Sequence, residues 1–120
     1  MKYYEFDLDG ETIKLRLTSN DSVAIEKKTG VKLLDFVQDY AMSTIITLLM
    51  YMRRSSIPNY SEKDASILYD KLVDAGYTMQ QILYDVIYEG LVVSGFLSKV
   101  ELEEMKNALI ENKEKKKQEV

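Results

Sequence analysis

Apolar and polar residues alternate at the start of the chain, with Tyr4, Phe6 and Leu8 interleaved with Glu5, Asp7 and Asp9, and Ile13, Leu15 and Leu17 with Lys14 and Arg16. A period of two is that of a strand with one buried face, and the intervening Asp9-Gly10 is a turn dipeptide whose glycine accepts positive φ. Residues 3–17 are therefore expected to form a β-hairpin. Two strands alone are marginal, so the apolar face requires a helical cover, and an edge left uncovered would permit pairing with another copy.

Beyond Leu17 the period lengthens to that of helices. Thr18-Ser19-Asn20-Asp21 offers capping oxygens for a short helix through Ser22 to Thr29, bearing Val23, Ala24 and Lys27, with Gly30 at its stop. A second stretch, Val31 to Tyr40, sets Leu33, Leu34 and Val37 on one side, and a third runs from Met42 to Arg54. The single proline, Pro58, lies in the loop Ser55–Tyr60. Ser61-Glu62-Lys63-Asp64 then has the form of a capping box with Asp in the fourth place, opening a helix that turns Ala65, Leu68, Leu72 and Val73 inward and ends at Gly76. Thr78 caps Met79 to Ser94, where Ile82, Leu83, Val86, Ile87, Leu91, Val92 and Val93 cover most of the circumference, as in a central helix. After Gly95, Ser98 caps a last helix with the narrow stripe Leu102, Met105, Leu109 and Ile110.

The expected fold is α+β, mostly α: an N-terminal β-hairpin followed by about five or six helices (residues 20–110) packed as a small bundle. One domain spans 1–111, and the charged residues 112–120, with no apolar stripe, are expected to fray. A chain of 120 residues with 46% hydrophobic and 30% charged residues is long enough for one core.

Charge and composition narrow the chemistry. The net charge of −4 lacks the Lys/Arg-rich face that phosphate contacts need, so nucleic acid is not an expected partner. This also argues against a helix-turn-helix DNA binder built on the short helices after Leu17. The least polar run, Ala41 to Met52, is shorter than the roughly 20 residues of a membrane span, so no membrane partner is expected. Met1-Lys2-Tyr3-Tyr4-Glu5 lacks the apolar centre of a secretory signal, and a cytoplasmic location follows as an expectation. Histidine and cysteine are absent, which removes thiolate and imidazole nucleophiles, bases and metal ligands. There is no glycine-rich phosphate loop, G-x-S-x-G or H-E-x-x-H, so the chain reads as a non-enzyme with no catalytic, cofactor-binding or metal site. Asp7-Leu8-Asp9-Gly10-Glu11 lacks the ligand spacing of a calcium loop and reads as a polar turn, and Glu101, Glu103 and Glu104 read as a solvated helix face.

What remains is protein binding. Nine tyrosines stand against three phenylalanines and no tryptophan, and tyrosine is enriched at interfaces because its ring buries while its hydroxyl stays wet. Tyr77, Tyr84 and Tyr88 lie nearly on one side of the central helix, and Leu102, Met105 and Leu109 follow three- and four-residue steps that suit either internal packing or a partner helix. These six are the candidate partner-binding residues. Lys113, Lys115, Lys116 and Lys117, interleaved with Glu114 and Glu119, read as a solubilising tail.

Several segments resemble one known family. Ile13-Lys14-Leu15-Arg16-Leu17-Thr18-Ser19-Asn20, then Ile25-Glu26-Lys27-Lys28-Thr29-Gly30 and Leu33-Leu34-Asp35-Phe36, and later Val92-Val93-Ser94-Gly95-Phe96-Leu97, are similar in order and texture to the tail assembly chaperones of long-tailed bacteriophages and prophages. Leu97 stands where that group has a second aromatic. The resemblance implies a non-catalytic chaperone that coats the tape measure protein until tail tube protein replaces it. It further implies self-association along that partner, work in the cytoplasm of the bacterial host, and absence from the mature virion. It also makes Lys115-Lys116-Lys117 a candidate ribosomal frameshift site, checked by looking for a slippery heptamer in the gene. The alternative is a small regulatory protein-binding module, antitoxin-like or anti-repressor-like, forming a stoichiometric complex with a globular target.

Overall fold

The computed structural model describes the backbone of residues 1–118 and the side chains of residues 1–112. The hairpin expected from the alternating pattern pairs β1 (Tyr4–Leu8) antiparallel with β2 (Glu11–Leu15), in the register Tyr4 to Leu15 and Leu8 to Glu11. Asp9 and Gly10 both take positive φ, 50° and 79°, the twist that a two-residue hairpin turn requires. Among the described residues six helices follow: α1 (Ser19–Thr29), α2 (Leu33–Phe36), α3 (Met42–Arg54), α4 (Glu62–Asp74), α5 and α6 (Lys99–Gln118). The fifth, α5, is one continuous helical run of Met79–Gln81, a π-helical segment Ile82–Ile87, and Tyr88–Val93. The fold is thus α+β and mostly α, with the hairpin first. No helix among the described residues is long and apolar enough to cross a membrane.

The caps form where hydroxyls precede acidic or amide residues. Thr18 with Asp21, Ser61 with Asp64, and Thr78 with Gln81 each make both arms of a capping box. Ser98 opens α6 in the same way, its Oγ accepting from Glu101 N–H at 3.0 Å while Glu101 Oε1 accepts from Ser98 N–H at 3.2 Å. Hydrogen bonds from Ser61 are also what hold the Asp64 carboxyl below its usual range.

The core joins both layers. Leu8, Ile13 and Leu15 from the hairpin meet Ile45, Leu48, Leu49 and Met52 of α3, Ala65, Leu68 and Leu72 of α4, and Ile82, Val86, Ile87 and Leu91 of α5, all buried. The central position expected for α5 is the one observed, and close approach is achieved at Gly90, where a Cβ would collide with Met52 Cε and touch Leu15 Cβ. Ser94 fastens the junction: its hydroxyl accepts from Leu17 N–H at 2.9 Å and donates to the Gly90 carbonyl at 2.7 Å.

Two expectations need correction. The helix over Val31 to Tyr40 shrinks to Leu33–Phe36, because Asp39 ends it by turning back on the next helix: Asp39 Oδ1 accepts from Ala41 N–H at 3.1 Å and Oδ2 from Thr44 Oγ1 at 3.4 Å. Leu34, expected on one side with Leu33 and Val37, and Val73, expected inward, are exposed, since four-residue α2 and the end of α4 each turn only part of their apolar residues to the core. The last helix, α6, is helical to Gln118. The side chains of Lys113, Lys115, Lys116 and Lys117 lie outside the described residues.

Candidate functional site

The six residues singled out by spacing part company in three dimensions. Tyr88 is 1% and Leu102 0% exposed, so both belong to the core and neither can meet a partner without opening it. Tyr88 acts inside the domain: its hydroxyl donates to the Val37 carbonyl at 2.7 Å, satisfying the end of α2. Burial pushes its phenol well above the ordinary tyrosine range. Tyr77 and Met105 are half-buried against the core.

Tyr84 and Leu109 converge. With Tyr40, Met79, Gln80 and Leu83 they line an apolar groove of about 280 Å³ between the start of α5 and α6. Tyr40 comes from the loop that Asp39 bends out of helical geometry, Met79 and Gln80 from the first turn of α5, Leu83 and Tyr84 from its π segment, and Leu109 from the third turn of α6. Two of its lining residues are tyrosines. Tyr84 packs edge-on against Tyr88, ring centres 5.1 Å apart, and its hydroxyl lies 3.4 Å from that of Tyr40. Burial first, then the Tyr40 hydroxyl, pushes the Tyr84 phenol up to about 12. The outer wall is exposed: Tyr40 is 55% and Met79 37% accessible.

Ion pairs outside the groove join the two helices that flank it. Lys106 of α6 reaches Glu89 at 3.0 Å and Asp85 at 3.5 Å, and Lys99 reaches Glu89 at 3.8 Å, strapping α6 along α5. Burial opposes the Lys106 charge, but the Glu89 hydrogen bond and the two carboxylates outweigh it and raise its pKa.

A second cleft, about 250 Å³, lies between the hairpin turn and α4, lined by residues including Asp9, Glu11, Arg53, Tyr60 and Lys71. Its centre is Arg53, 4% exposed, whose Nη2 pairs with Glu11 at 3.0 Å and whose Nη1 donates to Ser56 Oγ at 3.3 Å. The guanidinium also stands 5.9 Å from the Tyr60 ring centre. This arrangement joins hairpin to α3. Among the described residues, no group of three or more acidic side chains is placed to hold a metal ion.

Comparison of this chain with protein-family models, with curated proteins and with solved structures gives no match.

Tyr40 and Met79 were missed by sequence reasoning. Tyr40 sits at the end of a stretch that reads as helix, and Met79 reads as an ordinary first-turn residue. Neither periodicity nor motif marks a groove assembled from three separated segments.

Proposed function

We propose that this protein is a non-catalytic tail assembly chaperone of a long-tailed phage or prophage, working in the host cytoplasm and absent from the finished virion. It binds the tape measure protein and helps recruit tail tube protein. The observation that carries the reading is the apolar groove of Tyr40, Met79, Leu83, Tyr84 and Leu109, whose outer wall leaves large apolar side chains in water. Such a groove suits the apolar stripe of a long amphipathic helix, which enters through residues one turn apart. The family resemblance running from Ile13 to Leu97 supports the same reading. Transient coating requires release, and a shallow groove rimmed by flexible Met79 meets that need without irreversible chemistry.

The test is retention, in co-expressing cells, of the products of the neighbouring reading frames on the tagged chain, identified by mass spectrometry. A very long helical protein is expected, and Tyr40→Asp with Met79→Asp should lower its retention at least about tenfold, as for loss of an interface hot spot. Those two side chains are exposed, so the variant should fold normally. Retention of one globular protein in fixed ratio would instead establish the regulatory module and displace the chaperone.

A further inference from the structure

The two edges of the hairpin differ in what reaches them. On β2, the Arg16 N–H donates to the Met52 carbonyl at 3.0 Å, and the Lys14 carbonyl accepts from Ser56 Oγ at 3.4 Å and Arg53 Nη1 at 3.5 Å. Backbone groups of a strand residue point to one side and alternate along the strand, so positions 14 and 16 face α3 and the loop after it. Their counterparts on β1 follow from the register: Glu5 lies opposite Lys14 and Asp7 opposite Thr12. Glu5 and Asp7 therefore turn their N–H and C=O groups away from β2. Among the described residues, no hydrogen bond from outside the hairpin reaches them.

This open edge is acidic. Glu5 and Asp7 are both exposed, Lys14 pairs with Glu5 at 3.9 Å, and Thr12 Oγ1 donates to Asp7 Oδ1 at 3.0 Å, which leaves two carboxylates against one ammonium. On the inner face of the same strand, Tyr4 and Phe6 are half-buried with ring centres 5.8 Å apart, an apolar floor beside the edge. A second copy cannot use the edge symmetrically, because antiparallel self-pairing would bring Glu5 and Asp7 against the same carboxylates, and like charges directly opposite are destabilising.

We propose that the outer edge of β1 is a docking site for an extended segment of another protein carrying Lys or Arg at alternate positions, added to the hairpin as a third strand. The backbone of Glu5 and Asp7 supplies the ladder, the carboxylates select basic side chains, and Tyr4 and Phe6 receive the residues between them. The site is separate from the α5–α6 groove and does not depend on it.

The experiment titrates the full chain with a short peptide of alternating threonine and lysine, following backbone amide signals and hydrogen exchange. Protection of the Glu5 and Asp7 amides is expected, with binding that weakens as salt is raised. Asp7→Pro removes an outward N–H and one of the two selecting carboxylates but no bond of the β1–β2 ladder, and should weaken binding at least about tenfold, whereas Asp7→Asn removes only the charge and should weaken it less. The double variant E5K/D7K should lose the lysine peptide and gain an alternating threonine–glutamate peptide instead. Equal binding of both peptides by the unaltered chain, or unchanged affinity in Asp7→Pro and the double variant, would overturn the proposal. So would concentration-dependent protection of these amides without peptide, which would show that copies pair with each other.

Discussion

Two clefts are close in size, about 250 Å³ beside the hairpin turn and about 280 Å³ between α5 and α6, yet they are built on different chemistry. Beside the turn, a buried guanidinium is neutralised within the chain by Glu11 and hydrogen-bonded to Ser56, so the cleft holds the hairpin on α3. Between α5 and α6, hydroxyls face each other and ion pairs stay outside, while Tyr40 and Met79 leave apolar surface in water. The first cleft also has exposed Ile57 and Ile67 on its wall, but it is centred on a charge pair that joins hairpin to α3, whereas the second has an apolar lining and no ion pair at its centre.

The comparison is broken most forcefully along α6. Leu102 and Leu109 sit on one stripe, but Leu102 is fully buried and Leu109 borders the groove. Leu102→Ala should cost about 3 kcal/mol by leaving a core cavity. Leu109→Ala should cost less than about 1 kcal/mol, with a larger loss in partner retention. Urea unfolding of both variants separates the two roles, and equal stability losses would show that the groove is merely core edge.

A smaller effect is expected at the other cleft. Glu11→Ala strands the Arg53 charge, which keeps only its Ser56 and Lys14 bonds, and should cost about 2 kcal/mol, less than a fully buried pair because Glu11 is 58% exposed. Arg53→Met in the Glu11→Gln background removes both charges and should restore much of that loss. Thermal melts that rank the two variants in the reverse order would contradict the structural role assigned to the pair.

The smallest effect at neutral pH is in the tyrosine pair. The Tyr84 pKa is raised from 10.0 to about 12, so the fold favours the neutral phenol; its contribution is fully present below pH 10 and is lost as pH rises through about 12. Tyr84→Phe should leave stability nearly unchanged at pH 7 and flatten the alkaline decline. An unaltered slope would mean that Tyr4, Tyr60 and Tyr88, all raised by burial first, account for it.

Local chemistry made much of the fold legible. The alternating run through Leu17, the Asp9-Gly10 turn and the cap pairs at Thr18, Ser61, Thr78 and Ser98 specify elements through contacts a few residues apart, and those elements form. Where the reading slipped, as over Val31 to Tyr40, a side chain intervened from outside the helical pattern: Asp39 caps the start of α3 and ends the stretch before it. Of the six candidate contact residues, spacing could not distinguish Leu102 from Leu109, since a helical stripe looks the same whether the chain or a partner covers it.

The sequence by itself determined most of the elements, their order, and the absence of histidine and cysteine side chains, because capping, turn geometry and periodicity act through neighbours in the chain. Only the tertiary structure decided that Arg53 would be buried, that Tyr40 and Met79 would stand beside Leu109, and that one hairpin edge would be closed and the other open. Each of these depends on residues tens of positions apart meeting in space, and the packing of α3, α5 and α6 sets those meetings.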